Sequence, residues 1–188
     1  MARTDFVERS PLTRAALDFA DARHAGQTRD LDDMPFVTHP LEVACLLHES
    51  GYSDEVVAAG VLHDVLEDTD AERQELESRF GGEVAELVDA VSDDPTIEDD
   101  EERKAALRLQ VARAGEPAAA VFAADKVSKA RELRVRVSRG RFERKDDAKV
   151  AHYEASLDML AELIPGHPLV DQLRMELEAL HALPAGGV

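Results

Sequence analysis

Cysteine is almost missing from this chain of 188 residues: Cys45 stands alone, so no intramolecular disulfide can form. Its neighbours Val43, Ala44, Leu46 and Leu47 are apolar, a setting for a small buried side chain and not for a reactive thiol. Long hydrophobic runs are missing too. Met1 to Ser10 lacks the apolar stretch of a signal peptide and no window approaches a membrane span, so the expected setting is cytoplasmic, with no membrane partner. Alternation of apolar and polar residues is confined to Val135-Arg136-Val137, too short to build a sheet. Positive charge is scarce: 22 Lys and Arg face 40 Asp and Glu, a formal net charge of -18 that repels nucleic-acid backbones. A phosphate-bearing substrate meets the same repulsion unless a metal ion or a local basic patch offsets it. No feature of the sequence specifies an oligomeric state.

What is present is apolar content and helical punctuation. Apolar residues make up 44%, enough to fill a core, and at roughly 150 residues per domain the length suits one domain over 1–188. Ser10 before Pro11 reads as an N-cap followed by proline at the first helical position. Leu12, Ala15, Ala16 and Phe19 keep the helical period to a stop at Gly26. A polar loop, 27–37, precedes a helix from Pro40 to Gly51. Ser53 caps the next, which carries Val56, Val57, Gly60, Val61 and Val65. Asp70 is expected to begin a short helix ending near Phe80, with Gly81-Gly82 separating it from one holding Val84, Leu87, Val88 and Val91. The acidic run Glu98 to Glu102 reads as the solvated first turn of a helix reaching Gly115, favoured there by the helix dipole. Pro117 opens an alanine-rich segment, a long helix follows from Asp146 to Leu163, and Pro168 opens the last before a frayed tail at Pro184–Val188. The fold class is all-α.

The chemistry centres on His63-Asp64, placed inside the helix capped by Ser53. Glu67 and Asp68 follow four residues later, so His63 lies beside Glu67 and Asp64 beside Asp68 on a helix. Three close carboxylates repel one another unless a cation sits among them. His39, just before Pro40, stands at the mouth of a helix. Asp125 is a lone acid after Val121-Phe122-Ala123-Ala124, and its burial there demands a partner. Two imidazoles and two carboxylates leave coordination positions open, as a catalytic metal requires, and mixed nitrogen and oxygen donors suit manganese, iron, cobalt or zinc.

The series His39, His63-Asp64, Asp125 resembles the HD superfamily of metal-dependent phosphohydrolases. Residues 20–29 and 35–44, then 62–69 and 80–88, resemble the RelA/SpoT-type alarmone hydrolase domain; the likeness covers about 14–133, with a helical extension at about 134–183. The resemblance implies that His39, His63, Asp64 and Asp125 hold one manganese ion and that Glu67 and Asp68 handle water and protons. It also implies release of the 3′-pyrophosphate from guanosine tetra- or pentaphosphate. No histidine lies between His63 and Asp125, where dinuclear relatives place extra ones.

In the alarmone hydrolases a basic residue, an aliphatic one, histidine or tyrosine and then asparagine follow the Ala-Asp step. Lys126 and Val127 fit this pattern, while Ser128 and Lys129 depart from it. Arg29 matches a base-stacking arginine, although Asp30, Asp32 and Asp33 follow it. Ten basic residues between Lys126 and Lys149 form a candidate polyphosphate-steering stretch, and Lys126, Lys129 and Arg131 are the substrate contacts nearest Asp125. His24 is expected to support the site from behind. His48, His152, His167 and His181 read as surface or cap residues. Two other readings stay open: an HD phosphohydrolase for another nucleotide, and a nucleotide-binding module without turnover.

Overall fold

Small side chains and capping residues set out the helices in order. The computed structural model describes residues 5–29 and 31–183, so Asp30 and the expected frayed tail fall outside the described residues. Ser10 caps α2 (Pro11–Arg23), its hydroxyl accepting from Thr13 N–H at 3.2 Å after the short α1 (Asp5–Arg9). The only β-type pairing among the described residues is a single bridge, Thr28 with Pro35, inside the loop that leads to α3 (Thr38–Glu49). α3 therefore starts two residues before Pro40. Proline is tolerated there because the first-turn N–H groups have no helical acceptor. As a result His39 sits within the helix and not ahead of it.

A correction concerns His63 and Asp64. The helix capped by Ser53 ends at Leu62 (α4, Asp54–Leu62), and a four-residue α5 (Val65–Asp68) follows. His63 and Asp64 therefore form the corner between two helices. His63 Nδ1 engages the Gly60 carbonyl at 2.8 Å, in place of the backbone bond that a continuing helix would make there, and such side-chain insertions bend helices. The next helix also begins later than Asp70, at Arg73 (α6, Arg73–Phe80), because Thr69 and Asp70 are taken up in an extended connection and in an Asp70–Arg23 ion pair of 2.5 Å. Gly81, at φ 93°, supplies the left-handed turn into α7 (Gly82–Val91).

The acidic run behaves as a capped first turn: Asp99 accepts from Glu102 N–H at 2.9 Å and α8 (Asp100–Ala114) follows with three exposed acids. α9 (Glu116–Ser138) then runs through the middle of the protein, packed against α3, α4, α7, α8, α10 (Lys145–Leu163) and α11 (Pro168–His181). Ala118 to Ala124 are buried on every side, the pattern of a core helix. α4 is built alike, and its Gly60 lets Leu47 of α3 approach so closely that a Cβ would lie 2.4 Å from Leu47 Cδ1. That close crossing brings the α3 histidine to the end of α4. The segment Val135-Arg136-Val137 lies in the last turn of α9, and the sequence boundary at 133 falls inside the same helix. No helix among the described residues is long and apolar enough to cross a membrane.

α10 is tied to α9 by a buried ion pair between Arg136 and Asp146, whose second oxygen accepts from Glu143 N–H at 2.8 Å. Asp146→Ala leaves the Arg136 guanidinium unpaired in a nearly dry site and is expected to cost about 3–5 kcal/mol. Urea denaturation measures it, and the double variant Arg136→Met, Asp146→Leu is expected to lose less than the single one.

Candidate metal centre

Four side chains from three separate places meet at one point. His39 comes from the first turn of α3, His63 and Asp64 from the α4–α5 corner, and Asp125 from the middle of α9; all are at most 4% exposed. The facing atoms are His39 Nε2, His63 Nε2, Asp64 Oδ2 and Asp125 Oδ1. The imidazole nitrogens lie 3.2 Å apart. Asp64 Oδ2 is 3.0 Å from His63 Nε2 and 3.4 Å from His39 Nε2, while Asp125 Oδ1 is 3.3 and 3.2 Å from the same two atoms. Donors bound at about 2.1 Å to one cation stand about 3.0–3.4 Å apart at right-angled or tetrahedral positions, so the spacing fits a single metal.

The outer sides of the rings fix the direction of their lone pairs. His63 Nδ1–H donates to the Gly60 carbonyl, and His39 Nδ1 lies 2.9 Å from Ser128 Oγ, which in turn donates to Glu42 at 3.0 Å. With both of these protons outside, both Nε2 atoms would offer lone pairs to a cation, together with Asp64 Oδ2 and Asp125 Oδ1, the latter also 3.1 Å from Lys129 Nζ. Four acceptors facing one another require positive charge between them. Burial lowers the His63 pKa, yet Asp64 and Asp125 outweigh it and raise it to about 10. A proton on His63 meets that demand in the metal-free site, and a divalent cation between the four atoms would meet it as well. His39, His63 and Asp125 together place one ligand atom each within 4.8 Å of the others. Asp64 joins this set through both imidazoles.

Glu67 and Asp68 flank the centre in the open. Glu67 shares a small cavity with His63, Asp64 and Asp125, and one of its oxygens accepts from Asp93 N–H at 2.7 Å. Partial desolvation, with Asp64 nearby, raises the Glu67 and Asp68 carboxyls above the usual range. The four groups therefore sit across the α4–α5 corner and not along one continuous helix edge, with Glu67 still beside His63, Asp64 and Asp125.

A cleft of about 590 Å³ adjoins the centre, and His39, Lys126 and Lys129 belong to its wall. Lys126 is buried, donates to Asp125 Oδ2 at 2.6 Å and lies over the Phe122 ring; Lys129 Nζ lies 3.1 Å from Asp125 Oδ1 and 3.4 Å from Asp64 Oδ1. Arg29 also lines the cleft, held by Glu132 at 2.8 Å. Arg131 does not line it: this guanidinium is taken by Glu42 at 2.6 Å and Glu176 at 2.9 Å. Arg134 and Arg136 are paired likewise, so much of the basic stretch neutralises neighbouring acids. His24 lies behind the site. Its ring packs at a tilt against Phe36, whose ring packs at a tilt against His39, and its Nδ1 meets Gln27, whose amide reaches the Asp68 carbonyl.

The sequence pattern points to only one residue of the far wall of the cleft, Lys149 at the end of the basic stretch. Lys104 of α8 and Lys149, His152 and Tyr153 of α10 line it. His152 is no surface residue: Arg108 donates to its Nδ1 at 2.8 Å, and burial, with Lys126, Lys104 and Arg108 close by, lowers its pKa to about 2. One signal was available: Lys149, His152 and Tyr153 recur at three- and four-residue steps, a single face of an otherwise ordinary helix.

Comparison with known proteins agrees with this geometry. Residues 16–146 match the family model described as HD domain. The human guanosine-3′,5′-bis(diphosphate) 3′-pyrophosphohydrolase MESH1 is 41% identical over 122 residues, 63% of this chain and 67% of that protein. The bifunctional (p)ppGpp synthase/hydrolase SpoT of Escherichia coli is 49% identical over 81 residues, which is 43% of this chain and 11% of that longer protein. The solved structure of a metazoan SpoT orthologue, described as hydrolysing ppGpp, superposes with a TM-score of 0.80 at 27% identity, over 93% of this chain and 98% of that one. A Listeria monocytogenes EGD-e structure gives a TM-score of 0.66 at 31% identity, over 76% and 97%. With an HD-type helical fold, a buried His/Asp cluster suited to a metal and relatives of this kind, the chain belongs to the HD-domain family, as a phosphohydrolase similar to its guanosine-3′,5′-bis(diphosphate) 3′-pyrophosphohydrolase members.

Proposed function

We propose that this chain hydrolyses the 3′-pyrophosphate of guanosine tetra- or pentaphosphate, with one manganese ion held by His39, His63, Asp64 and Asp125. The observation that carries the reading is the convergence of four inward-facing acceptors beside a cleft walled by lysines. A divalent cation bound there supplies a lowered water pKa and screening of phosphate charge.

The chain's own residues supply the rest. Glu67 is fixed through one oxygen by Asp93 N–H, and its other oxygen takes a proton from the attacking water. A carboxyl raised above the ordinary range is the stronger base once ionised. Asp68, also raised, returns a proton to the departing 3′ oxygen, which leaves guanosine diphosphate or triphosphate and pyrophosphate. Lys126 and Lys129 contact phosphate oxygens, Arg29 faces the base, and Arg131 and His24 act through the Glu42 and Gln27 contacts that support the site. Lys129 against the metal-facing carboxylates also favours a second reading, in which another nucleotide with a more anionic phosphate group is the substrate.

The deciding assay incubates manganese-loaded protein with guanosine tetraphosphate and resolves the products by chromatography. Guanosine diphosphate plus pyrophosphate is expected. Intact substrate alongside stoichiometric metal rejects the substrate while leaving the metal centre in place, and a panel of phosphorylated nucleotides then tests the second reading.

A further inference from the structure

Two ammonium groups already sit against the carboxylates that would hold a divalent cation. Lys126 covers Asp125 Oδ2, the oxygen turned away from the histidines. Lys129 does something different: its Nζ is 3.1 Å from Asp125 Oδ1, the same oxygen that faces both imidazoles, and 3.4 Å from the other oxygen of Asp64. Two carboxylates and two ammonium groups sum to zero formal charge, whereas the carboxylates alone would offer a cation two negative charges. The Lys129 side chain is 35% exposed and lines the open cleft, so it reaches the carboxylates from the solvent side on a flexible stem.

Resting on the metal reading above, we infer that Lys129 is a resident counter-cation of this centre: it keeps the metal-free site intact and, by competing for Asp125 and Asp64, weakens divalent-metal binding. The same attraction cannot be used twice. Charge that Lys129 places on these oxygens is charge that a metal must displace or tolerate, and the repulsion between a divalent ion and a nearby ammonium in a poorly hydrated site is large. By linkage, the ligand that the centre binds less tightly also stabilises it less.

Lys129→Met keeps most of the stem and removes the charge. Titration calorimetry with manganese alone, on the full chain, is expected to show dissociation constants at least about tenfold lower in Lys129→Met than in the wild type. The manganese-induced rise in melting temperature is expected to be larger in the variant, because its metal-free form melts lower. Lys104→Met is the control, since Lys104 lines the cleft but pairs with Asp93 and not with the metal-facing carboxylates. Equal tightening in Lys104→Met would reduce the effect to the general field of the cleft and overturn the inference, as would an unchanged or weaker constant in Lys129→Met. Binding by Lys129→Met but not by wild type is the strongest support. Binding by neither sinks the metal reading itself, whereas equal binding by both sinks only the role of Lys129.

Discussion

Asp64→Ala is expected to lose the metal and the turnover together. Asp64 is 4% exposed and its Oδ2 faces both imidazoles, so no other side chain can take over the position. The variant also removes a principal cause of the raised His63 pKa, leaving burial to act on that ring with less opposition. Loss of a partner outside the ligand set typically costs 10- to 100-fold, so loss of a ligand is expected to lower manganese affinity and kcat/KM by more than about 100-fold. Calorimetry and steady-state kinetics on the same preparation check both. Retained manganese binding would remove Asp64 from the ligand set.

Glu67→Gln is expected to separate the two losses. Glutamine keeps the length of the side chain and an oxygen able to accept from Asp93 N–H, so the loop carrying Asp93 stays in place. What disappears is the basic oxygen, and general-base catalysis contributes about 10²- to 10⁴-fold, so kcat should fall by that factor while the manganese constant changes by less than about twofold. The pH profile gives a second reading. A base must be ionised, and the Glu67 carboxyl is raised by partial desolvation and by Asp64, so the wild-type rate should fall on the acid side at a pH above the usual carboxylate range. That limb should vanish in Glu67→Gln. Equal metal loss in Glu67→Gln and Asp64→Ala would dissolve the division between ligand and base.

Both variants rest on residues legible in the sequence, and it is instructive why. A histidine beside an aspartate with acids four residues on, and a lone acid in an alanine-rich helix, are local anomalies: each breaks an apolar pattern that the helix period would otherwise continue. Lys126 and Lys129 were found by adjacency to such an anomaly. Arg131, equally close in sequence, was not distinguishable from them, because its pairing with Glu42 and Glu176 depends on where α3 and α11 pack. The His63-Asp64 corner escaped notice for a related reason. Apolar periodicity continues through Val61, Leu62 and Val65, and only the bond from His63 to the Gly60 carbonyl shows that the helix stops.

The sequence by itself determined the helical class, the caps at Ser10 and Ser53, the acidic first turn of α8, the core character of α4 and α9, and the identity of the acids and imidazoles that meet, because period and capping are local properties. Tertiary structure alone decided which atoms face one another at the His/Asp cluster, that Ser128 and Glu42 orient His39, that Lys129 lies on the Asp64 and Asp125 carboxylates, and that α10 closes the far side of the cleft. Most of those contacts join residues far apart in the chain, 89 positions for His39 and Ser128, and the distances that make them chemical arise only when α3, α4 and α10 pack around α9.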